Sequence, residues 1–185
     1  MPATSLSAAV PYSTSQKLVD ENIHSLHQLS DLLVIMPSTL YQQQFETQTV
    51  GKHVRHVLAH YQTLLAGLEG SVQTGSIDYE QRHRQAALEG EPHVALHTLG
   101  TLRAELHAVS SYPIETPIVL HYPVEPSGNS LLPLPSSLGR ELAFLTSHTV
   151  HHMALIRLLC EAMNMSLPSD FGVHPSTLRF WQQHS

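Results

Sequence analysis

Apolar residues recur at helical spacing in four stretches of the chain. In the first, Val19, Ile23, Leu26, Ser30 and Leu33 follow alternating steps of four and three, and Leu18 and Leu29 widen the stripe. This predicts a helix over 15–36, stopped by Pro37. In the second, Val50, Val54, Val57, Tyr61, Leu64 and Leu68 keep the spacing unbroken, with Thr49 as N-cap and Gly70 as the C-terminal stop. The third helix begins at Pro92, whose fixed φ suits a first helical position, and carries Ala95, Leu99, Leu102, Leu106 and Val109. The fourth is capped by Ser136 or Ser137 and runs to about Met163 through Leu138, Leu142, Leu145, Thr149, His152, Ile156 and Leu159.

Four such stripes each need a partner to bury them. The expected fold class is all-α: one domain over 1–185, a four-helix bundle with core helices at about 15–36, 50–69, 92–110 and 137–163. Two connections are long for a bundle and are read as crossovers. The first, after Gly70, is SVQTGSIDYEQRHRQAALEGE, with room for a short helical turn. The second, from Tyr112 to Pro135, carries six prolines, the run IVLHYPV and a Ser-Gly-Asn turn signal at 127–129. It is expected to hold a short β-hairpin. The tail after Met163 is expected to be a loop with a last turn around Leu178 to Gln182.

Composition narrows the function. The chain has 185 residues, 42% apolar and 13% charged, which is a globular balance. Its 9 basic residues are scattered and its formal charge is -6, so neither a nucleic-acid surface nor an anionic membrane surface is expected as partner. The N-terminal residues lack the pattern of a signal peptide, and no stretch has the length of a transmembrane helix. A single cysteine, Cys160, cannot form an internal disulfide and fits a cytoplasmic location; on the apolar stripe it reads as a buried, inert thiol. The unusual number is 15 histidines, as many as all the acids.

Their positions on the helices sort them. His24 and His27 fall away from their stripe and are expected in solvent. His93 and His97 are spaced i, i+4, but their face lies about 160° from the stripe. In SHTVHH, His152 occupies a stripe position and His148 lies about 70° from it on the same side, whereas His151 is about 130° away. Inward imidazoles one turn apart can reach one ion, and each ring nitrogen needs a hydrogen bond or a metal. A third ligand is expected from GKHVRHVLAHY. There His53 lies at about 75° from the stripe, His60 at about 95° and His56 at about 135°, so periodicity ranks His53 first and leaves all three open.

The segments TVGKHVRHVLAHY and ELAFLTSHTVHHMALI, in this order, resemble the DinB-like (DinB/YfiT-like) superfamily of metal-binding proteins. That pattern is a Ser/Thr-x-Gly helix start with a histidine five residues after the glycine, then H-x-x-x-H on a later helix. IDYEQRHR and the DFGVHPST loop also look like one of its subgroups. The resemblance implies a four-helix bundle, often homodimeric, with a divalent metal at one end held by His56, His148 and His152. His53 and His60 are then further ligands or residues that orient one. It also implies a small-molecule substrate and chemistry of the thiol-transferase or hydrolase type, without selecting a reaction.

Three neutral imidazoles leave a coordination position for water or a thiolate. Zinc is the favoured ion, with nickel and iron as alternatives. Glu141, two turns before His148, is a candidate base, though an acid at a helix N-terminus is also favoured by the dipole. Arg82 and Arg84 are candidates to meet an anionic substrate. A non-catalytic metal-binding bundle is the alternative, in which a fourth side chain such as His60 would close the coordination sphere.

Overall fold

The structure is a computed structural model that describes residues 13–69, 74–81, 85–125 and 130–184. Its long helices are α1 (Thr14–Ile35), α3 (Val50–Leu68), α5 (Pro92–Val109) and α6 (Leu138–Ala162). Between and after them lie the short α2 (Ser38–Tyr41) and α4 (Ala86–Gly90), the strands β1 (Gly75–Ile77), β2 (Pro117–Pro123) and β3 (Leu131–Ser137), and a terminal helix α7 (Pro175–His184).

The expected caps form. Thr49 accepts from the Lys52 amide at 3.0 Å, and Ser137, not Ser136, caps α6 by accepting from the Arg140 amide at 3.3 Å. Gly70 lies outside the described residues. The core is built from the periodic positions: Val19, Leu26, Val54, Val57, Leu64, Leu99, Leu106, Leu142, Leu145 and Ile156 are all buried. α1 packs on α5 and α6, and α3 packs on the same two helices.

The expectation of an all-α four-helix bundle is corrected by the sheet. β1 runs parallel to β2 (Gly75 opposite Ile118), and β2 runs antiparallel to β3 (Val119 opposite Pro135), so three strands form one mixed sheet in the order β1-β2-β3. Among the described residues there are seven helices, not four. The hairpin of the second connection is therefore two strands of seven residues each, and the first connection supplies a third. The turn signal at 127–129 lies outside the described residues. The prolines are compatible with pairing because Pro133 and Pro135 sit on the edge strand, where no ladder partner is needed on one side, and Pro117 and Pro123 are the first and last residues of the central β2. The tail also holds more helix than one turn, since α7 spans ten residues.

Two glycines of α3 permit close contacts. A Cβ at Gly67 would lie 2.5 Å from the Ser76 carbonyl oxygen, so β1 rests directly on the helix backbone. A Cβ at Gly51 would lie 2.0 Å from the Glu89 carbonyl oxygen, so α4 crosses the start of α3 at the same close range.

A buried polar chain sets the register of the helices. Tyr61 donates to Asn22 Oδ1 at 2.7 Å, and Thr149 donates to the Tyr61 oxygen at 3.1 Å. Asn22 Nδ2 donates to the Leu142 carbonyl at 3.1 Å and to the Leu18 carbonyl at 2.8 Å. The chain joins α1, α3 and α6 through atoms that water does not reach. Tyr61→Phe removes its central hydroxyl and strands the groups on both sides. The expected loss is about 1–3 kcal/mol of unfolding free energy, measured by urea denaturation.

Candidate metal centre

α3 and α6 lie side by side, and each presents histidines one turn apart: His56 and His60 on α3, His148 and His152 on α6. The rings meet. Ring centres are 4.2 Å apart for His60 and His148, 4.5 Å for His56 and His60, 5.0 Å for His56 and His148, 4.4 Å for His56 and His152, and 4.7 Å for His148 and His152. In His56, His60 and His148 one nitrogen of each ring lies within 4.8 Å of the others, so these three could bind a metal ion. Modest closure would bring the three nitrogens to the roughly 2.0–2.1 Å at which zinc takes imidazole. His60 is buried, and His56 and His148 are half-buried, so the group lies at the edge of the core.

The proton on His60 is assigned by its partner. Nδ1 lies 2.9 Å from the His56 carbonyl oxygen, which only accepts, so Nδ1 donates and the neutral ring carries its lone pair on Nε2. A ligand histidine held by a backbone carbonyl in this way has its ring orientation set before an ion arrives. His152 is held differently. Its Nδ1 is 3.0 Å from Nδ1 of buried His53, one donating and the other accepting.

Crowded imidazoles disfavour charge. Burial, followed by His148, His53, His151 and His60, pushes His152 down to about 3. Burial and then His151 lower His53 as well. Both rings are therefore neutral at neutral pH, the state that offers a lone pair to a metal.

The structure thus brings two of the expected ligands, His56 and His148, together with His60, and places His152 one ring further on, bonded to His53. His60 stands one turn from His56 at the i, i+4 spacing, but that spacing alone does not single it out, since His93 and His97 share it on an exposed face. Both buried α3 histidines are the ones periodicity ranked highest, yet half-buried His56 joins the group because α6 covers its flank. His24, His27, His93 and His97 are exposed. Cys160 is buried, and burial pushes its thiol up to about 11. Arg82 and Arg84 lie outside the described residues.

Glu141 is fully buried in the first turn of α6. It accepts from Tyr79 at 2.9 Å, from Arg140 at 2.8 Å and from Ser136, so its oxygens are engaged in holding structure. Two aromatic rings absent from the sequence-based expectation border the histidines. Tyr79 stacks on His60 at 5.0 Å, and Phe144 stacks on His148 at 5.3 Å. A groove of about 630 Å³ between α3 and the sheet, lined by Gln62, Thr63, Ser76, Asp78 and His121, contains none of these histidines.

Comparison with known proteins adds little to this geometry. No protein-family model matches the chain, and no solved structure matches it. Over 103 residues it is 31% identical to FK506-binding protein 5 of Rhizopus delemar, a stretch covering 56% of the chain and 27% of that relative. The chain therefore matches about a quarter of that protein's length. No helix among the described residues is long and apolar enough to cross a membrane.

The pKa shift of His152 has a signed consequence for the metal-free protein. A folded value near 3, below the ordinary 6.5, means that the unfolded chain binds more protons between those two values. Stability is complete above about pH 6.5 and falls as the pH drops toward 3. The melting temperature should decline through this window, and His152→Ala should make the decline shallower. Equal slopes for both proteins would refute the assignment.

Proposed function

We propose that this protein is a mononuclear metal-dependent enzyme of the DinB-like type, holding one divalent ion on His56, His60 and His148. The observation that carries this reading is the mutual approach of those three ligand nitrogens to within 4.8 Å. His60 is buried and His56 and His148 are half-buried, so the cluster lies at the edge of the core and not on an open surface. The ordered motifs on α3 and α6 support the family assignment independently of the geometry.

When bound, zinc would supply a water of pKa about 7 or a seat for a thiolate, the chemistry of a hydrolase or a thiol transferase. The chain's own residues do the rest. His60 is aimed by the His56 carbonyl. His152, fixed by His53 and with its ring centre 4.7 Å from that of His148, would present a neutral ring as a hydrogen-bonding partner to a water or thiol held by the ion. Zinc is favoured over nickel and iron, and a homodimer acting on a small molecule in the cytoplasm completes the proposal.

A second reading has its own observation. His152 lies within 4.4 Å and 4.7 Å of the rings of His56 and His148, so a small rotation would make it a fourth ligand and close the sphere. The ion would then be structural.

Metal analysis of purified variants separates these readings. The expected result is one equivalent of ion in the native protein. Loss of a ligand costs more than the tenfold to 100-fold typical of a residue that only orients one, so His56→Ala, His60→Ala and His148→Ala should each weaken zinc binding by roughly 100-fold or more. His152→Ala should retain the ion but lose activity. Loss of the ion from His152→Ala as well would favour the closed, non-catalytic site. A native protein that binds no stoichiometric metal would end both.

A further inference from the structure

We infer that Tyr79 and Phe144 are positioning residues for the metal ligands, each holding one imidazole flat so that its ligand nitrogen stays aimed at the ion. The inference rests on the metal-binding reading above and deepens it, because it names what presets the ligand rings.

The two contacts are alike. The Tyr79 ring lies 5.0 Å from His60 at an interplanar angle of 20°, and the Phe144 ring lies 5.3 Å from His148 at 25°. Both are stacked, and both involve residues of the three-histidine group. The aromatic rings also touch each other at 5.4 Å, so they form one wall against which two ligands lie. The last torsion of a histidine is broad and roughly two-fold, so even the His60 ring, held at Nδ1 by the His56 carbonyl, can tilt about that one bond. A flat neighbour restricts that tilt.

The wall is itself anchored. Tyr79 donates its hydroxyl to Glu141 Oε2 at 2.9 Å, and Glu141 is held on its other oxygen by Arg140 at 2.8 Å and by Ser136. The same Arg140 guanidinium sits 5.3 Å from the centre of the Phe144 ring. Tyr79 comes from the segment just after β1, Ser136 from β3, and Glu141, Arg140 and Phe144 from the first two turns of α6. The sheet therefore delivers Tyr79 to His60, which gives the unexpected strands a role at the site.

The chemistry asked of these residues is steric, not acid–base. Burial keeps the Tyr79 hydroxyl protonated, its pKa raised further by Glu141. The expectation is that the ring matters more than the hydroxyl. Removing a residue that only orients a ligand typically weakens metal binding tenfold to 100-fold.

The test is zinc titration by calorimetry at low temperature, where circular dichroism shows each variant folded, with cobalt absorption bands recorded in parallel. Tyr79→Leu and Phe144→Leu should each weaken zinc binding by about tenfold to 100-fold and alter the cobalt bands. Tyr79→Phe, which keeps the stacked ring, should stay within about threefold of native even where it lowers the melting temperature. A purely structural role would lower melting temperature in all three without moving affinity in the folded protein. His56→Ala is the control. If it abolishes zinc binding while both leucine variants bind like the native protein, the positioning inference falls and the metal site stands. If His56→Ala binds zinc like the native protein, the metal reading fails and takes the inference with it. Should Tyr79→Leu not fold, Phe144→Leu decides alone.

Discussion

The hydrogen-bonded chain from Asn22 through Tyr61 to Thr149 is the constraint on which the site depends. It sits between α1, α3 and α6, and none of its members is exposed. Apolar stripes alone allow helices to slide by a turn with little change in buried area. Polar atoms in the core do not, since each unmet donor or acceptor is costly. Tyr61 follows His60, and Thr149 follows His148. Fixing Tyr61 against Thr149 therefore fixes which histidines of α3 face which histidines of α6. A slip of one turn would oppose different pairs and dissolve the cluster.

A second buried polar group does similar work at the other end of the site. Glu141 has no exposure, yet it is charged-group chemistry placed inside the protein. A buried carboxylate is tolerable only when its oxygens are matched, and here Tyr79, Ser136 and Arg140 match them. Those partners come from three different elements, so the carboxylate ties the sheet to the start of α6. Removing it would leave the Tyr79 hydroxyl unsatisfied and loosen the wall beside His60. Stability and site geometry are coupled through the same atoms.

The histidines themselves are not an efficient way to stabilise a fold. Five of them, His53, His56, His60, His148 and His152, gather between two helices, and burial together with the neighbouring rings depresses the charge on His152 and His53. An apolar seam of similar volume would pack as well without polar atoms to satisfy. A cluster that disfavours protonation is suited to a cation, and three of its rings lie close enough that they could bind a metal ion.

The four long helices were legible from spacing because a helix buries one stripe, and side-chain chemistry marked Thr49 as one cap and narrowed the other to Ser136 or Ser137. The inward turn of α6 was legible in the same way, and with it the half-buried place of His148 and His152. The sheet was legible only in part: a hairpin was expected in the second connection, but β1 has three residues, too few for alternation to register as a third strand. The grouping of His60 with His56 and His148 was also hidden. A helical wheel measures the angle between a residue and its own helix's stripe, whereas the flank of α3 is covered by α6 and by Tyr79, which arrive from elsewhere in the chain. By itself the sequence determined where the four long helices lie and that α6 turns two histidines toward its apolar stripe. Only the tertiary structure decided which of those rings meet, because a ligand set is defined by distances between elements, and those distances come from buried polar contacts that no local period encodes.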